Sequence, residues 1–413
     1  MTKSFLLHIL LLLSLSPFSS ANEISVQVSA ADEITAEHYP GSGNNLIVWI
    51  APEYGFRTGH RVLAEMLSKQ GIEIWMVDML DALFLPHNST SIKNLRGKYV
   101  ANIVEQAHNK TGKKIIVMGD SYASLSVLYG IHEWQEKEIK KNYLIGAILF
   151  SPYTYQSIPP LGQLPVYMPI ISATNIPIMI YQAENNGNIG QFNTLVKKLQ
   201  QHGNPVYTRI TPKVMSIFYR EEVSAEMREQ LQPLPLNIKK MISILKSHPF
   251  PQKVIPLKHI GENKTGIDTS IKNYTGAFSP HAIHLFDAHG NKVNVASYKG
   301  KVTIVNFWAT WCPPCVEEIP SLNRLKEKMK GHNFELISIN YAEDKQTIID
   351  FMKKVNVEFP VLLDPNGEFA KKWNVLAYPS TFIIDKNGKI KYGVNAAIIW
   401  DSPEVIIKIK SLL

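Results

Sequence analysis

NFWATWCPPCVEE, residues 306–318, is the stretch that decides how the C-terminal third of this chain folds. Cys312 and Cys315 within it are the only two cysteines among 413 residues. An apolar, β-rich run over residues 302–308 precedes the pair, and apolar residues at three- and four-residue spacings follow it. The pair is therefore expected where a strand ends and a helix begins. There the helix dipole and free backbone N–H groups stabilise a thiolate at the first cysteine.

This pattern favours a redox-active dithiol, because Cys315 lies one helical turn after Cys312 and is within reach to form or open a disulfide with it. A static disulfide and half of a zinc site are the alternatives. A structural zinc site needs about four ligands, whereas the sequence has no second cysteine pair and no paired histidines near this segment. We therefore expect neither a metal ion nor another cofactor.

The first 21 residues are typical of a secretory signal, with Lys3 as the positive start, an apolar core over 5–15 and a small-residue cleavage site at Ser19-Ser20-Ala21. No cysteine lies near the cleavage site, which excludes a lipoprotein anchor. No later segment approaches the roughly 18 uninterrupted apolar residues of a membrane span. We expect a soluble periplasmic protein without stable membrane insertion after signal cleavage. An uncleaved N-terminal anchor is the alternative.

The remaining chain is too long for one ordinary core and predicts two domains. We expect the first over residues 22–250, a linker over 251–267 and the second over 268–413. The net charge of +8 comes from lysines spread along the chain without a dense basic block. That pattern indicates a solvated surface and predicts no nucleic-acid partner.

Apolar strands alternate with helical patterns across residues 46–211 of the first domain. Continuous apolar strands separated by helices predict a parallel sheet that is covered on both faces. Residues 22–45 show little periodicity and end in a turn-rich segment, so no strand is expected there. The first strand of this domain should therefore be the one near residue 46.

Gly119-Asp120-Ser121-Tyr122-Ala123 stands directly between a predicted strand and a predicted helix. A Gly-x-Ser-x-Gly turn in this context is a nucleophile elbow, in which small flanking residues let the serine occupy a strained turn. Here Ala123 replaces the last glycine. With this motif and the strand pattern around it, residues 46–245 resemble an α/β-hydrolase. The resemblance implies that Ser121 is the candidate nucleophile.

A hydrolase of this kind needs an acid and then a histidine after the serine. The acid is expected in the turn over residues 183–186, where the family often has aspartate and this chain has Asn186, with Glu184 as a substitute. No histidine directly follows the predicted strand over 206–211. The later candidates are His202, His248 and His259. A serine without a base is a poor nucleophile, so we expect this domain to bind a partner rather than to hydrolyse efficiently.

From about residue 268 onward the chain resembles a thioredoxin-fold protein and, more closely, the TlpA/ResA-type branch of secreted bacterial thiol–disulfide reductases. Three stretches carry this resemblance. Residues 306–315 are close to the active-site run of that branch, and residues 287–301 match its leading hairpin. Tyr378-Pro379-Ser380-Thr381 matches the cis-proline loop of the fold.

The resemblance implies a role for each residue around the dithiol. Cys312 is expected to be the exposed nucleophile, and Cys315 the residue that resolves the mixed disulfide. Trp311 is expected to shape the surface that contacts the client, or to be a half-buried aromatic residue without that role. A cis bond before Pro379 leaves the backbone of Tyr378 free to pair with an extended client segment.

The resemblance also places a buried carboxylate at Glu318, because Asn306 stands where thioredoxin has its buried aspartate. A desolvated glutamate has a raised pKa and can exchange a proton with Cys315. The alternative is a solvent-facing helix residue, a place that Glu317 fits better.

The sequence thus predicts an α/β protein with an α/β-hydrolase-like parallel sheet domain followed by a thioredoxin-fold domain. The expected function is reduction of protein disulfides in the periplasm through Cys312 and Cys315. A membrane-embedded thiol reductant should supply the electrons, because the chain has no second cysteine pair and no predicted span. One alternative is a disulfide oxidant or isomerase. Another is a serine hydrolase acting through Ser121 with an appended redox domain.

Overall fold

The computed structural model describes residues 21–29, 32–95, 97–138, 141–216, 218, 225–258, 268–277 and 279–413. The predicted signal segment up to residue 20 and the candidate His259 lie outside these residues. The described chain forms two eight-stranded sheets. None of its helices is both long enough and apolar enough to cross a membrane.

The first sheet is mixed, with strands in the order β1-β2-β4-β3-β5-β6-β7-β8. Its strands are β1 Asn22–Gln27, β2 Glu33–Tyr39, β3 Asn45–Ile50, β4 Glu73–Val77, β5 Lys114–Asp120, β6 Leu144–Phe150, β7 Ile178–Ala183 and β8 Val206–Thr211. Strands β3 to β8 pair in parallel as expected. The expectation that residues 22–45 lack strands is wrong, because β1 pairs antiparallel with β2, and β2 antiparallel with β4. In β2 the buried Ile34 and Ala36 alternate with exposed Glu33 and Thr35, so one face of this added hairpin is apolar.

Helices cover both faces of the first sheet. They are α1 Thr58–Lys69, α2 Met79–Ala82, α3 Ser89–Lys93, α4 Gly97–Thr111, α5 Ala123–Glu138, α6 Ile170–Ala173, α7 Phe192–Leu199, α8 Ala225–Leu231 and α9 Leu234–Ser247. One apolar cluster lies under α4, α5 and α7, and a second lies under α1 and α9. Every residue of β4 and β6 is buried. The continuous apolar strands therefore follow from a sheet that is enclosed on both sides.

The segment after α9 begins on the surface of the first domain. Residues 251–258 contain no helix or strand. Phe250, Ile255 and Leu257 pack against the cluster under α4 and α5, and a ring nitrogen of His132 lies 2.8 Å from the Ile255 carbonyl oxygen. This part of the connecting chain is held against the domain that it leaves.

The second sheet has the order β11-β10-β14-β13-β12-β15-β16-β9. Its strands are β9 Lys272–Asn273, β10 Ile283–Asp287, β11 Lys292–Val295, β12 Val302–Trp308, β13 Phe334–Tyr341, β14 Val361–Asp364, β15 Ser380–Ile384 and β16 Ile390–Val394. Its helices are α10 Pro313–Lys328, α11 Lys345–Met352, α12 Glu368–Lys372 and α13 Pro403–Lys410. Strand β12 is buried throughout, pairs in parallel with β13 and antiparallel with β15, and leads into α10. This thioredoxin-like arrangement places the cysteine pair beyond the end of a central strand.

The loop between β6 and α6 packs against the second domain. Leu161 of this loop is buried in the apolar cluster that contains Trp373 of the second domain. Asn395, directly after β16, donates its side-chain N–H to the Pro159 carbonyl oxygen at 2.7 Å. A side chain at Gly393 would collide with Leu161, because its Cβ would lie 2.8 Å from Leu161 Cδ1. The first domain is thereby packed against β16, the strand that pairs with β15.

Candidate functional site

The cysteine pair lies at the first turn of α10, as the sequence predicts. Cys312 caps the helix and is joined to Cys315 by a disulfide with a Cα–Cα distance of 5.3 Å. The backbone N–H of Cys315 donates to Cys312 Sγ at 3.3 Å. Pro313 and Pro314 occupy the start of the helix, where a missing N–H removes no helical hydrogen bond. The Cys315 N–H in the first turn of this helix therefore points at the sulfur that should carry the thiolate.

The expectation that Cys312 is exposed is not met. Only 5% of Cys312 and 0% of Cys315 is accessible. Both belong to the apolar cluster between β12 and α10, with the partly buried Trp311 and Tyr378 packed against it. Cys312 is still the more accessible of the two cysteines, and a client would have to approach it past these two aromatic rings.

Glu318 is buried, with 2% of its surface accessible, whereas Glu317 is exposed. Asn306 Nδ2 donates to Glu318 Oε1 at 2.8 Å, and Trp400 Nε1 donates to Glu318 Oε2 at 2.9 Å. Burial raises the pKa of Glu318 to about 7, and the two donors oppose that rise. The sequence did not indicate Trp400, because it lies 82 positions from Glu318 and no local spacing joins them.

A second buried carboxylate, Glu343, supports the turn between β12 and α10. It accepts hydrogen bonds from the Thr310 backbone N–H at 2.7 Å and from Asn340 Nδ2 at 2.8 Å. The sequence analysis missed Glu343, which follows β13 and meets Thr310 only because β12 and β13 are neighbours. Its contacts hold the segment that precedes Trp311 and the dithiol.

The Tyr378–Pro379 peptide bond is cis, which confirms the expected loop conformation. The loop leads into β15, the neighbour of β12. The Trp311 and Tyr378 rings lie 5.9 Å apart, and Tyr341 stacks on Tyr378 at 4.5 Å. Trp311, the cis-proline loop and the dithiol thus lie together, as the resemblance implies.

The predicted nucleophile elbow is present between β5 and α5. Ser121 has a φ of +51°, and a Cβ at Gly119 would lie 2.9 Å from Val127 Cγ2. The small residue before the serine is therefore required by close packing of the strand on α5. The Ser121 hydroxyl donates to Glu53 Oε1 at 2.8 Å. Within the residues that the structure describes, the hydrogen-bond partner of this serine is a carboxyl group rather than an imidazole.

The predicted acid and base candidates do not form a triad with Ser121. Glu184 is exposed and accepts from the Lys213 backbone N–H at 2.9 Å. Asn186 accepts from the Asn188 backbone N–H at 3.1 Å and donates to the Met215 carbonyl oxygen at 3.2 Å. Of the histidines, His202 is exposed and His248 contacts Tyr207.

Glu53 is the residue of the elbow that the sequence analysis missed. It follows β3, and one of its oxygens lies 3.4 Å from the Tyr122 backbone nitrogen. Burial raises the pKa of Glu53 to about 7, hydrogen-bond donors including Ser121 lower it, and the nearby Asp120 raises it further. Its position at the carboxyl end of β3, next to β5, could have identified it, because ligands of such sheets bind at these strand ends.

One cavity of about 300 Å³ joins the two candidate sites. Glu53 and Ser121 line it from the first domain, and Trp311 and Tyr378 line it from the second. The elbow and the surface beside the dithiol were predicted as separate features, and the structure brings them together.

Asp78, Asp81 and His87 are the group among the described residues that could hold a metal ion. Asp78 already caps α2, and a ring nitrogen of His87 lies 2.9 Å from Asp81 Oδ1. These contacts give the group a structural role without an ion.

Comparison with known proteins agrees with this geometry in the C-terminal part of the chain. Residues 270–405 match the family described as Redoxin. The thiol-disulfide oxidoreductase ResA of Bacillus thuringiensis subsp. konkukian is 38% identical over 104 residues, which is 25% of this chain and 60% of that protein. The Bacillus subtilis protein of the same name is 34% identical over 115 residues, which is 28% of this chain and 64% of the relative. The chain thus spans about three fifths of the length of these curated relatives.

Among solved structures, a putative thiol:disulfide interchange protein DsbE from Chlorobium tepidum is 27% identical, with a TM-score of 0.31. The matched region is 32% of this chain and 94% of the Chlorobium tepidum chain. Together with the family match, the ResA relatives identify residues 270–405 as a Redoxin-type, ResA-like thioredoxin-fold domain. They leave the fold of the N-terminal domain unassigned.

Proposed function

We propose that this chain is a thiol–disulfide oxidoreductase that reduces protein disulfides outside the cytoplasm. The observation that carries the proposal is the cysteine pair at the start of α10, with the buried Glu318 on the same helix and the cis-proline loop beside it. The similarity of residues 270–405 to ResA-type oxidoreductases supports the same reaction.

The reaction begins with both cysteines reduced. The Cys312 thiolate attacks one sulfur of the client disulfide, forms a mixed disulfide and releases the first client thiolate, which takes a proton. The Cys315 thiolate then attacks Cys312 Sγ and releases the second client thiolate. Two electrons have passed to the client, and the chain is left with the Cys312–Cys315 disulfide that the structure contains.

Glu318 acts in the second step as the group that accepts the Cys315 proton. With a pKa of about 7, it is present in both protonation states near neutral pH and so can take up and return a proton. Asn306 and Trp400 fix both carboxyl oxygens through their side-chain N–H groups. They position the carboxyl group and need not touch the client.

Turnover needs a second thiol that reduces the Cys312–Cys315 disulfide again. The chain has no other cysteine, so a separate reductant must supply the electrons. A membrane-embedded dithiol protein is the class of donor that suits a periplasmic location. That location rests on the signal-like first 21 residues.

The N-terminal domain has the elbow of an α/β-hydrolase, but we propose that it binds the client instead of hydrolysing an ester. In such enzymes the backbone N–H after the nucleophile helps to bind the substrate oxyanion. Here that N–H belongs to Tyr122 and lies 3.4 Å from a Glu53 oxygen. A carboxyl group at this position repels an oxyanion and competes for its donor, which supports a non-hydrolytic role.

The test is a single turnover with the pre-reduced full chain and an equal amount of oxidised insulin. Thiols are then capped with a maleimide and located by mass spectrometry. The proposal predicts loss of the thiols at Cys312 and Cys315 and the appearance of an equal number on insulin. If insulin remains oxidised and both cysteines remain capped as thiols, the proposed activity is wrong.

A further inference from the structure

The cavity between the domains has an unusual lining. Of the lining residues that the structure describes, Glu53 is the one carboxylic acid, and none is lysine, arginine or histidine. The aromatic members come from both domains. They are Tyr54, Tyr122, Tyr153, Trp311, Tyr341 and Tyr378. Aromatic rings around a carboxyl group form a site that attracts a cation, because the ring faces carry partial negative charge.

Among the described residues, the hydrogen-bond donors to Glu53 are neutral. Its oxygens accept from the neutral Ser121 hydroxyl and lie near the neutral Tyr122 backbone N–H. Burial lowers the pKa of Lys93, and the nearby Glu53 opposes that shift. The Lys93 ammonium group lies over the Tyr122 ring, 4.9 Å from the centroid, and Lys93 does not line the cavity. A carboxylate in a desolvated place is stabilised when an opposite charge reaches it.

The cavity adjoins the surface over which a client must approach the dithiol. Trp311 directly precedes Cys312, and Tyr378 directly precedes Pro379. Because both aromatic residues line the cavity, an extended client segment bound at the cis-proline loop would lie next to the cavity. Such a segment advances about 3.3 Å per residue. A side chain within about two residues of the client cysteine can therefore enter.

We propose that this cavity is a specificity site that binds a lysine or arginine side chain next to the reacting cysteine of the client. The proposal rests on the thiol–disulfide exchange proposed above and assigns the N-terminal domain one wall of the client site. Glu53 provides the opposite charge. The tyrosine rings and Trp311 contact the side-chain stem and exclude water from the charged pair.

The probes are short peptides whose single cysteine carries a mixed disulfide with 2-nitro-5-thiobenzoate. The residue next to the cysteine is lysine, norleucine or glutamate, and a further norleucine peptide carries its lysine at the far end. The second-order rate constant with the pre-reduced full chain is divided by that with dithiothreitol, which removes differences in intrinsic reactivity. We expect the adjacent-lysine peptide to react about tenfold faster than the norleucine peptide, and the glutamate peptide to be slowest.

Glu53→Gln keeps the size of the side chain and removes its charge, so the preference for adjacent lysine over norleucine should fall to about parity. The matched control is Glu65→Gln in α1, whose carboxylate pairs with Lys69 at 2.6 Å and does not line the cavity. That variant should keep the preference of the unmodified chain.

Equal normalised rates for adjacent lysine and norleucine, or for adjacent and distal lysine, would overturn the specificity site. This comparison uses the unmodified chain, so it remains decisive if Glu53→Gln does not fold. Those results leave the proposed reductase activity intact. If none of the peptides releases the coloured thiol, both the specificity site and the reductase activity are refuted.

Discussion

Glu318→Gln is the substitution that most sharply tests how the dithiol is made to react. The side chain keeps its length and can still accept one of the two hydrogen bonds from Asn306 and Trp400. It loses the ability to carry a proton and a negative charge. We therefore expect separate effects on the thiol pKa, on the rate of disulfide reduction and on the pH dependence of stability.

The size of the electrostatic effect follows from the helix geometry. Residues three positions apart on a helix have side chains about 6 Å apart, as Cys315 and Glu318 are in α10. Two charges at that distance interact by about 3 kcal/mol at an effective dielectric constant of about 20. Where Glu318 is ionised, its removal should lower the pKa of the Cys315 thiol by about 2 units. Well below pH 7 Glu318 is neutral, so the substitution should change the ionisation of the Cys315 thiol little at those pH values.

The rate of the resolving step should fall at neutral pH, because solvent must replace Glu318 as the proton acceptor. We expect a decrease of about tenfold, less than the usual effect of a general base, because thiols ionise without help near neutral pH. The pH–rate profile should also lose the inflection near pH 7 that comes from Glu318.

Stability provides a second readout with a defined sign. The pKa of Glu318 rises from 4.5 to about 7 on folding, so the folded state resists ionisation of this group. This group leaves the free energy of unfolding unchanged below pH 4.5, lowers it as the pH rises from 4.5 to about 7, and leaves it about 3 kcal/mol lower above that pH. Glu318→Gln should remove this pH-dependent decline. It should also lower the free energy of unfolding by about 1–3 kcal/mol at every pH, because one of the two N–H donors loses its acceptor.

Three measurements over one pH range test these effects. Stopped-flow kinetics give the rate of reduction of a peptide disulfide, alkylation rates give the pKa values of both thiols, and chemical unfolding gives the stability. Glu317→Gln is the matched control, because Glu317 is adjacent on α10 and exposed. Rates, thiol pKa values and a pH dependence identical to those of the unmodified chain would refute the proton-transfer role of Glu318.

Other predictions follow from the same structure. Trp400→Phe removes one donor that lowers the pKa of Glu318, so the inflection of the pH–rate profile should move upward; an unmoved or lowered inflection would contradict this. The full chain should hydrolyse p-nitrophenyl esters no faster than its Ser121→Ala variant, because Glu53 lies beside the N–H that would bind an oxyanion; rapid turnover lost on substitution would reverse that conclusion. In cells, Cys312 and Cys315 should be largely reduced and should become oxidised when the membrane donor is deleted, as measured by alkylation trapping. A pair that is oxidised in both strains would favour a disulfide oxidant instead.

Local sequence predicted the parts of the site that depend on one strand, turn or helix. The apolar run before Trp308 forms β12, and the spacing after Cys315 forms α10 with Glu318 on its buried side. The cis bond before Pro379 is also as the family resemblance implies. In each case the information lies within a few neighbouring residues.

The contacts that escaped prediction join residues far apart in the chain. Trp400 and Glu343 reach the site only through sheet order and helix packing, which no spacing in the sequence encodes. Glu53 was missed because the family pattern places the acid after the serine, whereas this carboxyl group precedes Ser121 by 68 positions. The low accessibility of Cys312 likewise depends on how Trp311 and the cis-proline loop pack together.

The hairpin of β1 and β2 shows a different limit. The alternation of apolar and polar residues in β2 includes few apolar residues, and it is interrupted at Glu37 and His38. The strands form because β4 offers an edge for antiparallel pairing, a tertiary contact that their own sequence does not reveal.

Trapping of the mixed disulfide tests the central claim most directly. Cys315→Ser leaves Cys312 able to attack a client disulfide but removes the thiol that resolves the complex. After incubation of this variant with a disulfide-bonded peptide, mass spectrometry under non-reducing conditions should find the peptide attached to Cys312. The Cys312→Ser variant should capture little under the same conditions. Absence of the Cys312 adduct, or equal capture by both variants, would contradict the proposed function.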